Sequence, residues 1–416
     1  MAAKLNHPTQ DPDPAAGPWA SLEGLMAQVV QAPGRFRTVA ALAEALGLGI
    51  PALEGLFLTH AHLDAVTWLQ AARIKAAGAL LLSGPAGAVG EACGFSSPEA
   101  YETGFAQATG LAPAAYQALG RTAAFTLALP LGYRVEDMLA YHGRDPLSLS
   151  ERVSGATLAK GVVLEGRGAM LEMAFQGAAV HCRVLAPSAP GARAMAQAHR
   201  RAVRMLGLGT DPAAFERSVA GLDLGRLVAS RPGLRIPLTA DVWESLVWAI
   251  LGQQVNLAFA YSLRRQLTEL CGGATDQGLR VHPTAAAVAE LEPEQLKPLQ
   301  FSRSKAEYVI GLARKVARGE LPLEDLPDGA ATAAAARLSA ERGIGPWTAH
   351  YVLMRGCGFG DCVPLGDAGL TLALQRHHQL DHRPTVKETA ALMAPFAPHR
   401  SLATFHLWAS LKGVPA

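Results

Sequence analysis

Cysteine is scarce in this 416-residue chain, and its five copies, Cys93, Cys182, Cys271, Cys357 and Cys362, include no pair with CxxC spacing. A zinc ribbon or a four-cysteine iron–sulfur site is thereby excluded, no metal ligand set is expected, and a reducing cytoplasm is the plain inference. Long apolar runs are missing too: none reaches the about 20 uncharged residues that a membrane span needs. The polar, proline-rich start has no apolar stretch of the kind a signal peptide carries. Aromatics make up only 6% of residues, so each one asks for its own explanation. What the chain does have is apolar mass, 50% of residues, which suits a large packed core spread over two or three domains.

Charge of either sign is nearly balanced, at +2 overall, yet it is unevenly placed. Between Val39 and Gly120, Arg73 and Lys75 face Glu44, Glu54, Asp64, Glu91, Glu99 and Glu102, a local charge of −4 that leaves +6 for the rest. A polyanionic partner would be held by the later part of the chain.

Residues 1–20, with Pro8, Pro12, Pro14 and Pro18, read as a disordered leader. A helical pattern follows over 21–125, and inside it a motif recurs at an offset of 47 residues: Leu42-Ala43-Glu44-Ala45-Leu46-Gly47-Leu48, then Val89-Gly90-Glu91-Ala92-Cys93-Gly94-Phe95. Ala43 and Gly90 permit close helix approach, and Gly47 and Gly94 suit a turn with positive φ, so a helix-turn-helix occurs twice. With Trp68–Lys75 on a linking helix, the pair resembles the AraC-type DNA-binding domain. Its two expected recognition helices, Ile50–Phe57 and Ser97–Thr103, offer no Arg or Lys to phosphate or guanine. The module is therefore read as degenerate, used for packing or protein contacts.

From Leu131 to about Pro187 the period changes to two, with strands expected at Gly161–Glu165, Met170–Phe175 and Ala179–Leu185. A helix from about Gly191 to Leu206 carries Arg193, Arg200, Arg201 and Arg204, most simply a solvated face. The remainder is helical.

Chemistry concentrates late in the chain. Leu338–Ala349 reads as two helical segments flanking the tight turn Gly343-Ile344-Gly345, a shape that turns backbone N–H groups towards a phosphate. Asp367 follows 22 residues after Gly345, in Val363-Pro364-Leu365-Gly366-Asp367-Ala368, where a loop enters a helix. Taken alone it would be an N-cap.

Together these segments resemble the bacterial 3-methyladenine-DNA glycosylase II (AlkA-type) family of the helix-hairpin-helix GPD superfamily. The resemblance runs from about Leu131 to the C-terminus through Leu224–Leu227, Ser230–Pro237, Ala249–Val255, Trp347–Tyr351, the Asp367 loop and Phe405–Trp408. It implies a mainly α fold with one α+β subdomain: a TBP-like subdomain at 131–235, then an all-α hairpin-bearing domain at 236–416. Asp367 would be the catalytic carboxylate, stabilising positive charge on deoxyribose as the N-glycosidic bond breaks. Trp347, Tyr351, Trp408 and Tyr141 would line the base pocket, where electron-rich rings suit cationic alkylated bases. Gln253 and Gln254 would enter the duplex and fill the gap, although the nearest relatives place an apolar wedge where Gln254 stands. Arg342, Gly343, Ile344 and Gly345 would grip the DNA backbone, with a monovalent cation (K+ or Na+) on the carbonyls of Ser339, Glu341 and Ile344; no other cofactor is expected. Relatives that also cut the strand carry Lys where Trp347 stands, so a monofunctional enzyme is implied. His350, His399 and His406 read as packing or phosphate contacts.

The expected partner is double-stranded DNA containing damaged bases, met by a monomer in the bacterial cytoplasm, at the nucleoid. Two alternatives stay open: a transcriptional regulator of the alkylation response, as in Ada–AlkA fusions, and a catalytically idle lesion binder. No cysteine-bearing methyl sensor precedes Ser21, which weighs against the regulator.

Overall fold

The computed structural model describes residues 18–84 and 86–411. Residues 1–17 of the expected leader lie outside these, and its last three positions instead open a helix, α1 (Pro18–Gln31).

α2 (Val39–Ala45) is capped by Thr38, whose hydroxyl accepts from the Ala41 N–H. The chain then turns by 90° into α3 (Ile50–His60). α4 (Ala65–Ser83) links this pair to a second, α5 (Val89–Ala92) and α6 (Pro98–Thr109), after which α7 (Pro113–Gln117) closes the module. Both repeats of the sequence motif are thus helix–turn–helix units.

An antiparallel sheet follows, ordered β1-β5-β4-β3-β2. The expected strands are present as β3 (Thr157–Leu164), β4 (Arg167–Gln176) and β5 (Ala179–Leu185). Two more were not expected: β1 (Ala124–Ala128), which pairs with β5, and β2 (Glu151–Ser154), which pairs with β3. The subdomain therefore begins at Ala124, not Leu131, because Phe125 and Leu127 point into the sheet core while their neighbours face out. The stretch read as period two also contains a helix, α8 (Val135–His142). Along α9 (Ala192–Met205), Arg193 and Arg200 are exposed, but Arg204 is not part of a solvated face. Its guanidinium donates to the carbonyls of Thr239 and Gly356 and joins this subdomain to the next.

The helical domain comprises α10 (Ala213–Val219), α11 (Gly225–Ala229), α12 (Val242–Gly252), α13 (Leu257–Cys271), α14 (Ala285–Ala289), α15 (Pro293–Leu296), α16 (Arg303–Ala317), α17 (Ala331–Ser339), α18 (Pro346–Val352), α19 (Ala368–His377), α20 (Val386–Met393) and α21 (Arg400–Ser410). α12 is apolar on nearly every face and forms its centre. Phe215, Val219, Leu224 and Val228 belong to the same core, so α10 and α11 pack with the helical domain although the resemblance groups them with 131–235. A buried quartet, Lys160, Glu151, Glu244 and Arg264, ties the sheet to α12 and α13.

The N-terminal module docks on α17, the first helix of the hairpin. Ala330 and Ala333 enter its apolar core, His60 Nδ1 lies 3.0 Å from Thr332 Oγ1, and Lys75–Asp328 and Arg337–Glu23 form ion pairs across the seam. Among the described residues no single helix is long and apolar enough to cross a membrane.

Candidate active site

α17, the turn through Gly343 and α18 form the expected hairpin. Gly343 has φ +91°, and a Cβ there would lie 2.4 Å from Cγ of Tyr308, so only glycine fits this turn. Arg342 projects into solvent beside the Tyr308 ring, and Gly345 is exposed at the start of α18.

The loop after α18 ends at Gly366, φ +85°, and Asp367 then caps α19. One carboxylate oxygen accepts from the Leu370 N–H at 2.7 Å and from Trp408 Nε1 at 2.9 Å; the other accepts from Trp347 Nε1 at 3.2 Å. The cap does not exclude a chemical role: three N–H donors, one of them at the start of the helix, hold one carboxylate in place. Tyr351 completes the aromatic wall, its ring centroid 5.5 Å from Trp347 and 6.1 Å from Trp408. Burial pushes its phenol up to about 12. This wall borders a cleft of about 1290 Å³, large enough for a nucleoside with room beside it.

Tyr141 lines the same cleft, but its ring is not an open stacking surface. The guanidinium of Arg144 lies 3.6 Å from the ring centroid and that of Arg355 4.5 Å from it. Arg355 also donates to the Tyr141 hydroxyl and to the Pro237 carbonyl. Neither arginine was singled out in the sequence, and local spacing held no signal: Arg144 lies beyond the end of α8, and Arg355 meets the Tyr141 ring from 214 residues away.

The two glutamines part company. Gln253 Nε2 donates to the Gly343 carbonyl at 2.9 Å and to Thr348 Oγ1 at 3.0 Å. Its side chain is thus tied to the hairpin and does not project as a gap filler. Gln254 does project: it is exposed, with φ +56°, at the tip between α12 and α13. Lys305 fixes that tip by donating to the carbonyls of Leu251 and Gln253 at 2.5 and 2.8 Å, and burial lowers its amine to about 8.

The histidines near the cleft serve packing. His406 is buried against Phe215, which pulls its imidazole down to about 4, and His399 lies against the same ring. His350 Nδ1 accepts from the Val363 N–H. At the far end of α19, Asp223, His377 and His378 bring their polar atoms within 4.8 Å of one another, a grouping with no sequence spacing to announce it.

Residues 124–241 match the AlkA N-terminal domain, and residues 247–398 match the HhH-GPD superfamily base excision DNA repair protein. The two matched segments follow one another along the chain, the second beginning six residues after the first ends. The hairpin and Asp367 both fall within the HhH-GPD match, and the sheet within the AlkA N-terminal match. Among curated relatives, DNA-3-methyladenine glycosylase of Bacillus subtilis is 40% identical over 179 residues, 42% of this chain and 59% of that protein. DNA-3-methyladenine glycosylase 2 of Escherichia coli is 35% identical over 187 residues, 44% of this chain and 63% of that protein. The chain thus spans less than two thirds of the length of each. The 3-methyladenine DNA-glycosylase from Archaeoglobus fulgidus shares the fold, with a TM-score of 0.62 at 22% identity over 69% of this chain and 98% of that one.

Proposed function

We propose that the protein is a monofunctional DNA glycosylase that flips a damaged base, alkylated purines among them, into the cleft and hydrolyses its N-glycosidic bond. One observation carries the reading: Asp367 is held by two indole N–H groups and a helix N-terminus at the edge of an aromatic cleft. An oriented anion there meets the positive charge that grows on the sugar as the base departs, and can direct water to the same carbon. The indoles serve twice, donating to the carboxylate through Nε1 while their rings border the base site. Arg342, Gly343, Ile344 and Gly345 would position the backbone of a DNA duplex, and Gln254 would enter the space left by the flipped nucleotide.

A K+ or Na+ ion at the hairpin belongs to the same proposal. The carbonyls of Ser339 and Ile344 accept no hydrogen bond among the described residues, and that of Glu341 accepts only from the Ile344 N–H. These hard oxygen donors fit such a cation, which would supply positive charge close to the bound phosphate.

For the N-terminal module we propose a packing role, bracing α17 from behind, in preference to sequence reading. Its shared core and three polar contacts with 328–337 support this, as does the lack of Arg and Lys on α3 and α6. A protein working as a monomer on the nucleoid fits this arrangement.

Duplexes carrying 7-methylguanine or 3-methyladenine should release the free base and accumulate alkali-labile abasic sites. Borohydride should trap no protein–DNA adduct, since no amine replaces Trp347; a trapped adduct would refute the monofunctional reading. Gly343→Ala tests the hairpin. A left-handed conformation costs an L-residue about 1–2 kcal/mol, and the clash with Tyr308 adds to it. Affinity for any duplex, lesion-bearing or not, should fall by about tenfold in fluorescence anisotropy, whereas an unchanged affinity would remove the hairpin from the interface.

A further inference from the structure

The cleft holds more positive charge than a pocket for cationic bases should. Arg144 stands two residues beyond the end of α8, and its Nε donates to the Tyr141 carbonyl at 2.7 Å while its guanidinium covers the Tyr141 ring. The side chain is exposed and lines the cleft, and its two terminal amino groups make no hydrogen bond or ion pair among the described residues. Nearby acids are already engaged: Asp145 with Arg265, Asp137 with Arg134, and Glu151 with Lys160 and Arg264. Arg355 adds a second guanidinium against the same ring. A planar fork fixed at one end by the backbone and at its face by a ring presents its remaining donors in a set direction.

We infer that Arg144 is a specificity-determining residue, a donor fork that favours neutral 6-oxopurines such as hypoxanthine over methylated purine cations. The reasoning is one of edges and signs. Arginine pairs with adjacent acceptors of the O6 and N7 kind. An adenine-type base offers an amino donor where Arg144 also donates, and an N7-methylated base loses the acceptor and brings a positive charge towards two guanidinium groups. Stacking on Trp347 and Tyr351 still admits the cations, so Arg144 sets a ratio and does not exclude a class. The inference rests on the reading of the cleft as a base pocket and adds to it which bases the pocket prefers.

The test is single-turnover release of hypoxanthine and of 7-methylguanine from duplexes of one sequence by the full chain and by Arg144→Ala. Loss of a bidentate contact should slow hypoxanthine release about 10- to 100-fold, while 7-methylguanine release stays within about threefold of wild type or rises. Arg144→Lys keeps the charge and stem without the planar fork, so the same ratio read on it guards against misfolding of the alanine variant. A ratio that moves by less than about threefold in both variants, or two rates that fall in parallel, overturns the inference. Wild-type protein that releases neither base would sink the enzymatic reading and this inference with it; active wild type with an unmoved ratio sinks this inference alone.

Discussion

Asp367→Asn should slow base release by about 10³-fold or more, with melting temperature and lesion-DNA affinity close to those of wild type. The substitution isolates charge. Asparagine is as good an N-cap as aspartate, and its amide oxygen can still accept from the Leu370 N–H at the start of α19. The fold and the aromatic wall should therefore persist. What disappears is the anion towards which Trp347 and Trp408 point their N–H groups. A neutral amide also turns its own N–H₂ towards one of those indole donors, so one of the two indole hydrogen bonds is lost while the rings stay packed. The measurement is single-turnover release at saturating enzyme, beside anisotropy on an uncleavable lesion analogue. Release within tenfold of wild type would show that the carboxylate caps a helix and does no chemistry. A parallel collapse of binding would instead make Asp367 a structural support of the cleft.

Much of this site could be read before any coordinates existed, for a physical reason. A glycine that must take positive φ, and a loop aspartate entering a helix, are set by local backbone chemistry, and local chemistry leaves marks in sequence. Gly343, Gly366 and Asp367 are of that kind. The strands β3, β4 and β5 were visible because each runs for seven residues or more, long enough for an apolar pattern to show, with clean alternation in β5. β1 and β2, at five and four residues, are too short for a period to declare itself, and partners distant in sequence make them strands.

The misread features are those decided by contacts between distant segments. Gln253 looked like a partner of Gln254 in the duplex. The hairpin carbonyl of Gly343, 90 residues away, claims its amide. Arg204 looked like part of a solvated face until the carbonyl of Gly356 met it. Tyr141, expected in the base pocket, lines the cleft, but nothing in its neighbourhood told how two arginines would share its ring. The docking of the N-terminal helical module on α17 is of the same class, since no periodicity announces which helix a small apolar patch will meet.

The quartet between the sheet and the helical domain gives the largest expected effect on stability. Lys160 Nζ lies 2.6 Å from Glu244 and 3.1 Å from Glu151, and Arg264 binds both carboxylates, so two cations and two anions balance out of water. Burial alone would raise the Glu244 carboxyl, but Lys160 and Arg264 outweigh it and hold the group down at about 2. Glu244→Gln leaves two buried cations facing one anion, and breaking a buried pair in this way costs about 3–5 kcal/mol. The melting temperature should drop by about 5 °C or more at neutral pH. The pH dependence supplies a second check. A folded value near 2 against an ordinary value of 4.5 means that the native state binds its proton less readily than the unfolded chain. The stabilisation, about 3 kcal/mol by linkage, is therefore complete above pH 4.5 and fades as pH falls towards 2. Wild type should converge on Glu244→Gln over that window, because the variant has no such proton to take up. Equal melting at pH 7, or a gap that does not narrow on acidification, would mean that apolar packing and not this quartet joins the two subdomains.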